Sequence, residues 1–110
     1  MRIAKALVAM LVIGGVTLGC ADKETRVVQG VGIAEDEAGL WAKATLPADS
    51  AMRVALARVP GGKDTKAELE EENDRLIYSF EIATAAKEGV DEVHVDARTG
   101  EVVKAEHEKE

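Results

Sequence analysis

The stretch VDEVHVDARTGEVVK, residues 90–104, decides how this chain is read. Val93, Val95 and Ala97 alternate with Glu92, His94 and Asp96, the period of two that sends successive side chains to opposite faces of a strand. Gly100 can take the positive φ that a tight turn demands. Beyond it EVVKAEH (101–107) resumes an extended pattern, with Val103 and Ala105 turned inward, or Val102 if the register slips by one. The stretch therefore reads as a closing β-hairpin. It also sets His94 and Asp96 on one face, which raises the question of a catalytic pair.

The same period runs upstream. In LIYSFEIAT (76–84), Leu76, Tyr78, Phe80 and Ile82 share one face, and Ile77, Ser79, Glu81 and Ala83 share the other. In TKAELEEEND (65–74), Thr65, Ala67 and Leu69 alternate with Lys66, Glu68 and Glu70, and Asn73-Asp74-Arg75 signals a turn. Before these strands the period changes to 3.6. In TLPADSAMRVALARVPGG (45–62), Met52, Ala55, Leu56 and Val59 form one apolar stripe, the mark of an amphipathic helix. Thr45 suits its cap, Pro47 its first turn and Asp49 the positive end of its dipole, while Pro60-Gly61-Gly62 ends it. The expected fold is α+β: one helix packed on a four-stranded antiparallel β-meander, with a polar outer face. A fourteen-residue helix, ~21 Å long, covers a four-stranded sheet. Tyr78, Phe80, Val93 and Val95 are the expected core, with Met52 as filler and Trp41 packed under the helix start.

Further out, LWAKATL (40–46) reads as a short extended lead-in, and ADKETRVVQGVGIAEDEAGL (21–40) mixes charge and glycine without a sustained period. Three segments are expected: a signal peptide at 1–19, a flexible tether at 20–40 and the folded domain at 41–108. Arg2 and Lys5 precede an uncharged run from Ala6 to Gly19, which is too short for the ~20 residues of a membrane span and has the layout of an export signal. Cys20, the sole cysteine, forbids an intrachain disulfide. TLGC (17–20) resembles a lipobox, which implies lipid attachment at Cys20 and a periplasmic or cell-envelope location. Membrane contact is then expected only through that lipid.

The chain carries a net charge of −7. Cleavage before Cys20 removes Arg2 and Lys5 and leaves 12 cations against 21 anions, a net of −9. Such a domain repels nucleic acid, which is not expected as a partner.

Three groups of residues resemble sites, and each has a structural reading. Ser79, His94 and Asp96 share a sheet face, but an open polar face offers no oxyanion hole, so no catalytic residue is expected. His94 and His107 lie on the two strands of the closing hairpin, yet no zinc or EF-hand pattern accompanies them. Solvated histidines are expected, with no metal and no cofactor. The acidic run Glu68 to Asp74 reads as an outer strand kept soluble by charge.

A helix closing on VPGG, then AELEEEND and RLIYSFEI, then GVDEVHVDARTGEVV, together resemble a PepSY domain, the small module of thermolysin-type peptidase propeptides and of many short exported bacterial proteins. The resemblance covers about residues 42–107. Its strongest elements are EVHVDARTGEVV, with Val95, Asp96, Ala97, Thr99 and Gly100 in place, and YSFEI (78–82). It implies structural roles for Asp96, Thr99 and Gly100 in the hairpin and for Tyr78 and Phe80 in the core. The function it implies is a non-enzymatic binding module that modulates or inhibits an envelope or secreted peptidase by protein–protein contact. An acidic envelope cation-binding protein is the alternative reading. The first strand after the helix and the closing strand are the expected free sheet edges.

Overall fold

The structure is a computed structural model and describes residues 22–109. The signal-peptide and Cys20 readings lie outside the described residues. Two short strands come first, β1 (Thr25–Val28) and β2 (Val31–Glu35). A 3₁₀ turn (Trp41–Lys43) and the helix α1 (Ala48–Ala57) follow. Four more strands complete the chain: β3 (Lys63–Glu72), β4 (Arg75–Ala83), β5 (Val90–Asp96) and β6 (Val102–Glu108).

All six strands form one sheet in the order β1-β2-β3-β4-β5-β6. The antiparallel meander β3–β6 is present, but the sheet has six strands rather than four. Residues 25–35, expected to be tether, form a hairpin whose β2 pairs parallel to β3, with Ile33 opposite Ala67 and Glu35 opposite Leu69. A parallel pair needs a crossover, and α1 with its flanking loops supplies it. The hairpin closes on Gln29 and Gly30, both at positive φ (51° and 80°), a two-residue turn whose twist matches the strands it joins. The meander's first turn has the same form, with Asn73 and Asp74 at φ 54° and 63°.

The parallel pairing also moves β3 off the edge. The strand expected to be outer, with its acidic run, lies between β2 and β4, and among the described residues the sheet's edges are β1 and β6.

α1 has ten residues, not fourteen. Pro47 stands at its N-cap with no side-chain cap, and Thr45 turns instead toward the closing hairpin, its N–H donating to the Ala97 carbonyl (3.1 Å). Asp49 sits in the first turn and pairs with Arg53 at 3.4 Å. Ala51, Met52, Ala55 and Val59 are buried against Leu76, Tyr78, Phe80, Ile82, Val93, Val95 and Ala97. Trp41, in a 3₁₀ turn rather than an extended segment, is buried in the same core.

Two bulges correct the expected faces. In β3 the register shifts between Asp64 and Lys66, so Thr65 is exposed and Asp64 is turned in. In β6 it shifts opposite His94 and Val95. Val102 and Ala105 then pair with Val95 and Val93, and Val103 is left over and exposed. An extra residue on one strand inverts the alternation beyond it.

Candidate functional site: a free sheet edge beside an apolar groove

A ten-residue helix is ~15 Å long, while six strands at ~4.8 Å spacing span ~24 Å. α1 packs chiefly on β3, β4 and β5. Next to it the cover is Trp41, and between β1 and the start of α1 lies a groove of about 460 Å³. Arg26, Val28, Trp41, Leu46, Pro47 and Tyr78 are among its walls.

The groove is held by polar contacts beneath it. Tyr78 Oη donates to the Leu46 carbonyl (2.7 Å) and Trp41 Nε1 donates to the Glu24 carbonyl (2.9 Å). The Arg26 guanidinium lies 4.4 Å above the Trp41 ring, a cation–π contact. Glu35, buried at the end of β2, accepts from the backbone N–H groups of Glu24 (2.7 Å) and Trp41 (3.1 Å). Burial disfavours its charge, but the backbone N–H groups of Glu24, Trp41, Leu40 and Gly39 outweigh that and hold its pKa below the ordinary range. One carboxylate thus ties the edge hairpin to the Trp41 turn.

Among the described residues β1 pairs only with β2, so there its other side carries unpaired backbone groups, and Val27 on it is 70% exposed. The second edge, β6, is studded with Lys104, Glu106, His107 and Glu108. β6 thus carries four charged or titratable side chains, and β1 carries one, Arg26, which lies over Trp41.

The tempting residues on the opposite face are otherwise engaged. Ser79 is directly across from His94 in the β4–β5 register. His94 Nε2, however, bonds Glu92 Oε2 at 2.8 Å, and its Nδ1 lies 3.5 Å from Glu72. Asp96 Oδ1 accepts from the backbone N–H of Arg98 (2.7 Å) and Thr99 (2.9 Å), and Oδ2 lies 3.6 Å from Arg75. His94 and Asp96 make no contact with each other. Burial alone would raise the Asp96 pKa, yet the Thr99 and Arg98 N–H groups and the Arg75 charge hold it below the ordinary range. Thr99 Oγ1 accepts from the Glu101 N–H (3.1 Å), and Gly100, at φ 83°, donates its N–H to the Asp96 carbonyl (2.9 Å). Tyr78, Phe80, Val93 and Val95 lie wholly in the core.

His94 itself is not solvated: it is 2% exposed. Long carboxylate side chains from β3 and β5 reach over it, and their apolar stems with Ile77 close the site. Its hydrogen bond to Glu92 is the largest influence holding that carboxyl's pKa low. His107 sits elsewhere, opposite Asp91, and bonds it at 2.8 Å. Among the described residues no three His, Cys, Asp or Glu side chains converge as metal ligands. Glu70, in the acidic run, is pushed up by burial and by its neighbours Glu68 and Glu72. The sequence reading missed Glu35 and Asp64, both of which look like ordinary surface carboxylates in their segments.

One helix on one face of a six-stranded, mostly antiparallel sheet defines a small α+β module. The family model for the peptidase propeptide and YPEB domain, PepSY, matches residues 45–106, more than half of the 110-residue chain. The chain belongs to the PepSY family. A search of curated proteins and a search of solved structures each found no match. The matched span starts after the β1–β2 hairpin and the Trp41 turn, so the open edge lies outside it. Among the described residues no helix is long and apolar enough to cross a membrane.

Proposed function

We propose that this protein is an exported, non-enzymatic PepSY module that binds an envelope or secreted peptidase and modulates or inhibits it by direct contact. The family's tie to peptidase propeptides supports the partner class. The observation that carries the contact is the β1 edge, unpaired among the described residues, running alongside an apolar groove. An extended segment of the partner adds to β1 as a seventh strand. Its backbone pairs with β1, and alternate side chains enter the groove over Trp41 and Leu46. Lipid on Cys20 would hold the module at the membrane surface.

The test is photo-crosslinking in living cells, with the crosslinking residue at Val27 in one strain and at Lys104 in another. The reading expects an adduct with a peptidase from position 27 and none from 104. The purified peptidase should lose activity, or change its rate of maturation, when the module is added. Adducts of equal yield from both positions, or a captured peptidase that ignores the module, would overturn it.

A further inference from the structure

The alternation of the β1–β2 ladder fixes what the β1 edge presents. The Glu35 N–H donates to the Glu24 carbonyl (3.2 Å), and further along Arg26 lies opposite Ile33 and Val28 opposite Val31. In an antiparallel pair every second residue turns its N–H and C=O toward the neighbouring strand. Glu24, Arg26 and Val28 therefore face β2, and the N–H and C=O of Thr25 and Val27 point outward. Side chains alternate as well. Arg26 shares the face of Ile33, which is wholly buried in the core, and lies over Trp41 at the groove wall. Its guanidinium is held twice. The Trp41 ring is 4.4 Å from it, and Nε donates to Glu24 Oε2 at 2.7 Å. Among the described residues neither terminal nitrogen has a hydrogen-bond or ion-pair partner.

We infer that Arg26 is the specificity residue of this edge: it selects an added strand that carries an aspartate or glutamate in the place facing it. The inference rests on the strand-addition reading above and specifies the sequence that strand carries. An antiparallel strand that satisfies the N–H and C=O of both Thr25 and Val27 sets one residue directly across from Arg26, on the groove face. That pair is of the non-hydrogen-bonded kind, with Cα atoms only ~4.5 Å apart and side chains in reach. A carboxylate there meets the unspent terminal nitrogens as a fork. The groove-facing residue two places earlier in the added strand lies across from Val28 and is apolar, so the pattern is apolar–any–acidic. Because the strand runs on to pair with Thr25, the carboxylate comes from a side chain and not from a chain terminus. A second copy of this chain is refused by the same residue. Two β1 strands paired antiparallel through Thr25 and Val27 place Arg26 against Arg26, and like charges directly opposite are destabilising.

The test uses the full 110-residue chain and three acetylated, amidated hexapeptides: Ser-Leu-Val-Glu-Thr-Ser, and the same with Gln or with Lys in the Glu place. In NMR titrations the amide signals of Thr25 and Val27 report pairing, and the emission of Trp41, the sole tryptophan, reports the groove. The Glu peptide should bind roughly three- to fivefold tighter than the Gln peptide, the upper range for an opposite-charge cross-strand pair, and the Lys peptide should bind weakest. Arg26→Glu should invert the order. Arg58→Glu makes the same change of net charge at the other end of α1 and should leave the order as it is, which separates local pairing from the charge of the whole domain. Equal binding of the peptides, an order that Arg26→Glu leaves unchanged, or one that both variants invert overturns the role of Arg26 while strand addition at β1 stands. A homodimer adduct from the crosslinker at Val27 in the otherwise unaltered chain overturns it too. No saturable shift with any of the peptides overturns strand addition at this edge, and the inference with it.

Discussion

Burial pushes the Asp64 carboxyl up from 3.8 to about 6, and the nearby Glu81 charge adds to it, while the Lys66 backbone N–H offsets only part. Such a shift makes stability depend on pH in a defined sense. Above pH 6 the charged carboxylate is destabilising in full. As pH falls from about 6 toward 4 the folded state takes up the proton first and gains stability, and below the ordinary value the difference is gone. Asp64→Asn should therefore stabilise the domain at pH 7, by on the order of 2 kcal/mol, and by little at pH 3.5. Urea melts of the two proteins from pH 3.5 to 8 check this, and parallel curves would refute it. Asp96 has the opposite sign. Its lowered pKa stabilises the fold above its ordinary range and loses that contribution as pH falls further. Asp96→Ala strips acceptors from two backbone N–H groups and should cost about 1–3 kcal/mol at pH 7, read by thermal melting. Gly100→Val places a β-branched residue at φ 83° and should cost about 1–3 kcal/mol; an unchanged melting curve would refute the turn geometry.

At the scale of elements, β1 and β6 are both edges, yet their side chains give them different fates. Val27→Lys puts a charge at the centre of β1, where the side chain is already in solvent. Stability should stay within about 0.5 kcal/mol, while peptidase capture from this edge should fall sharply. Paired melting and crosslinking measurements separate the two effects. The α1 stripe and the closing hairpin were legible in sequence because each repeats a simple period over seven or more residues. The bulges were not. One extra residue in a strand leaves composition unchanged, and only the register against β4 or β5 reveals that Asp64 faces in or that Val103 faces out.

Across the whole molecule, the matched span and the folded unit differ. Residues 45–106 define the PepSY module, but Trp41, Glu35 and the β1–β2 hairpin complete its sheet and core. Deleting residues 22–35 should uncover Trp41 and the free side of β3 and lower the melting temperature markedly. Retention of the full-length melting temperature would show that the hairpin is dispensable. The hairpin escaped the sequence reading because four- and five-residue strands are too short to display a period, and because the charges around them suggest a solvated linker.

The sequence by itself determined the α+β class, the helix stripe, the order of the meander and the positions of its turns. Each of these rests on local periodicity and on backbone conformations that Gly, Asn and Asp tolerate. Tertiary structure alone decided the strand count, the identity of the free edges and the burial of His94, Glu35 and Asp64. Those depend on which strand lies beside which and on where a neighbour's side chain falls. Pairing between residues such as Ile33 and Ala67, 34 positions apart in the chain, leaves no trace in either segment's own pattern.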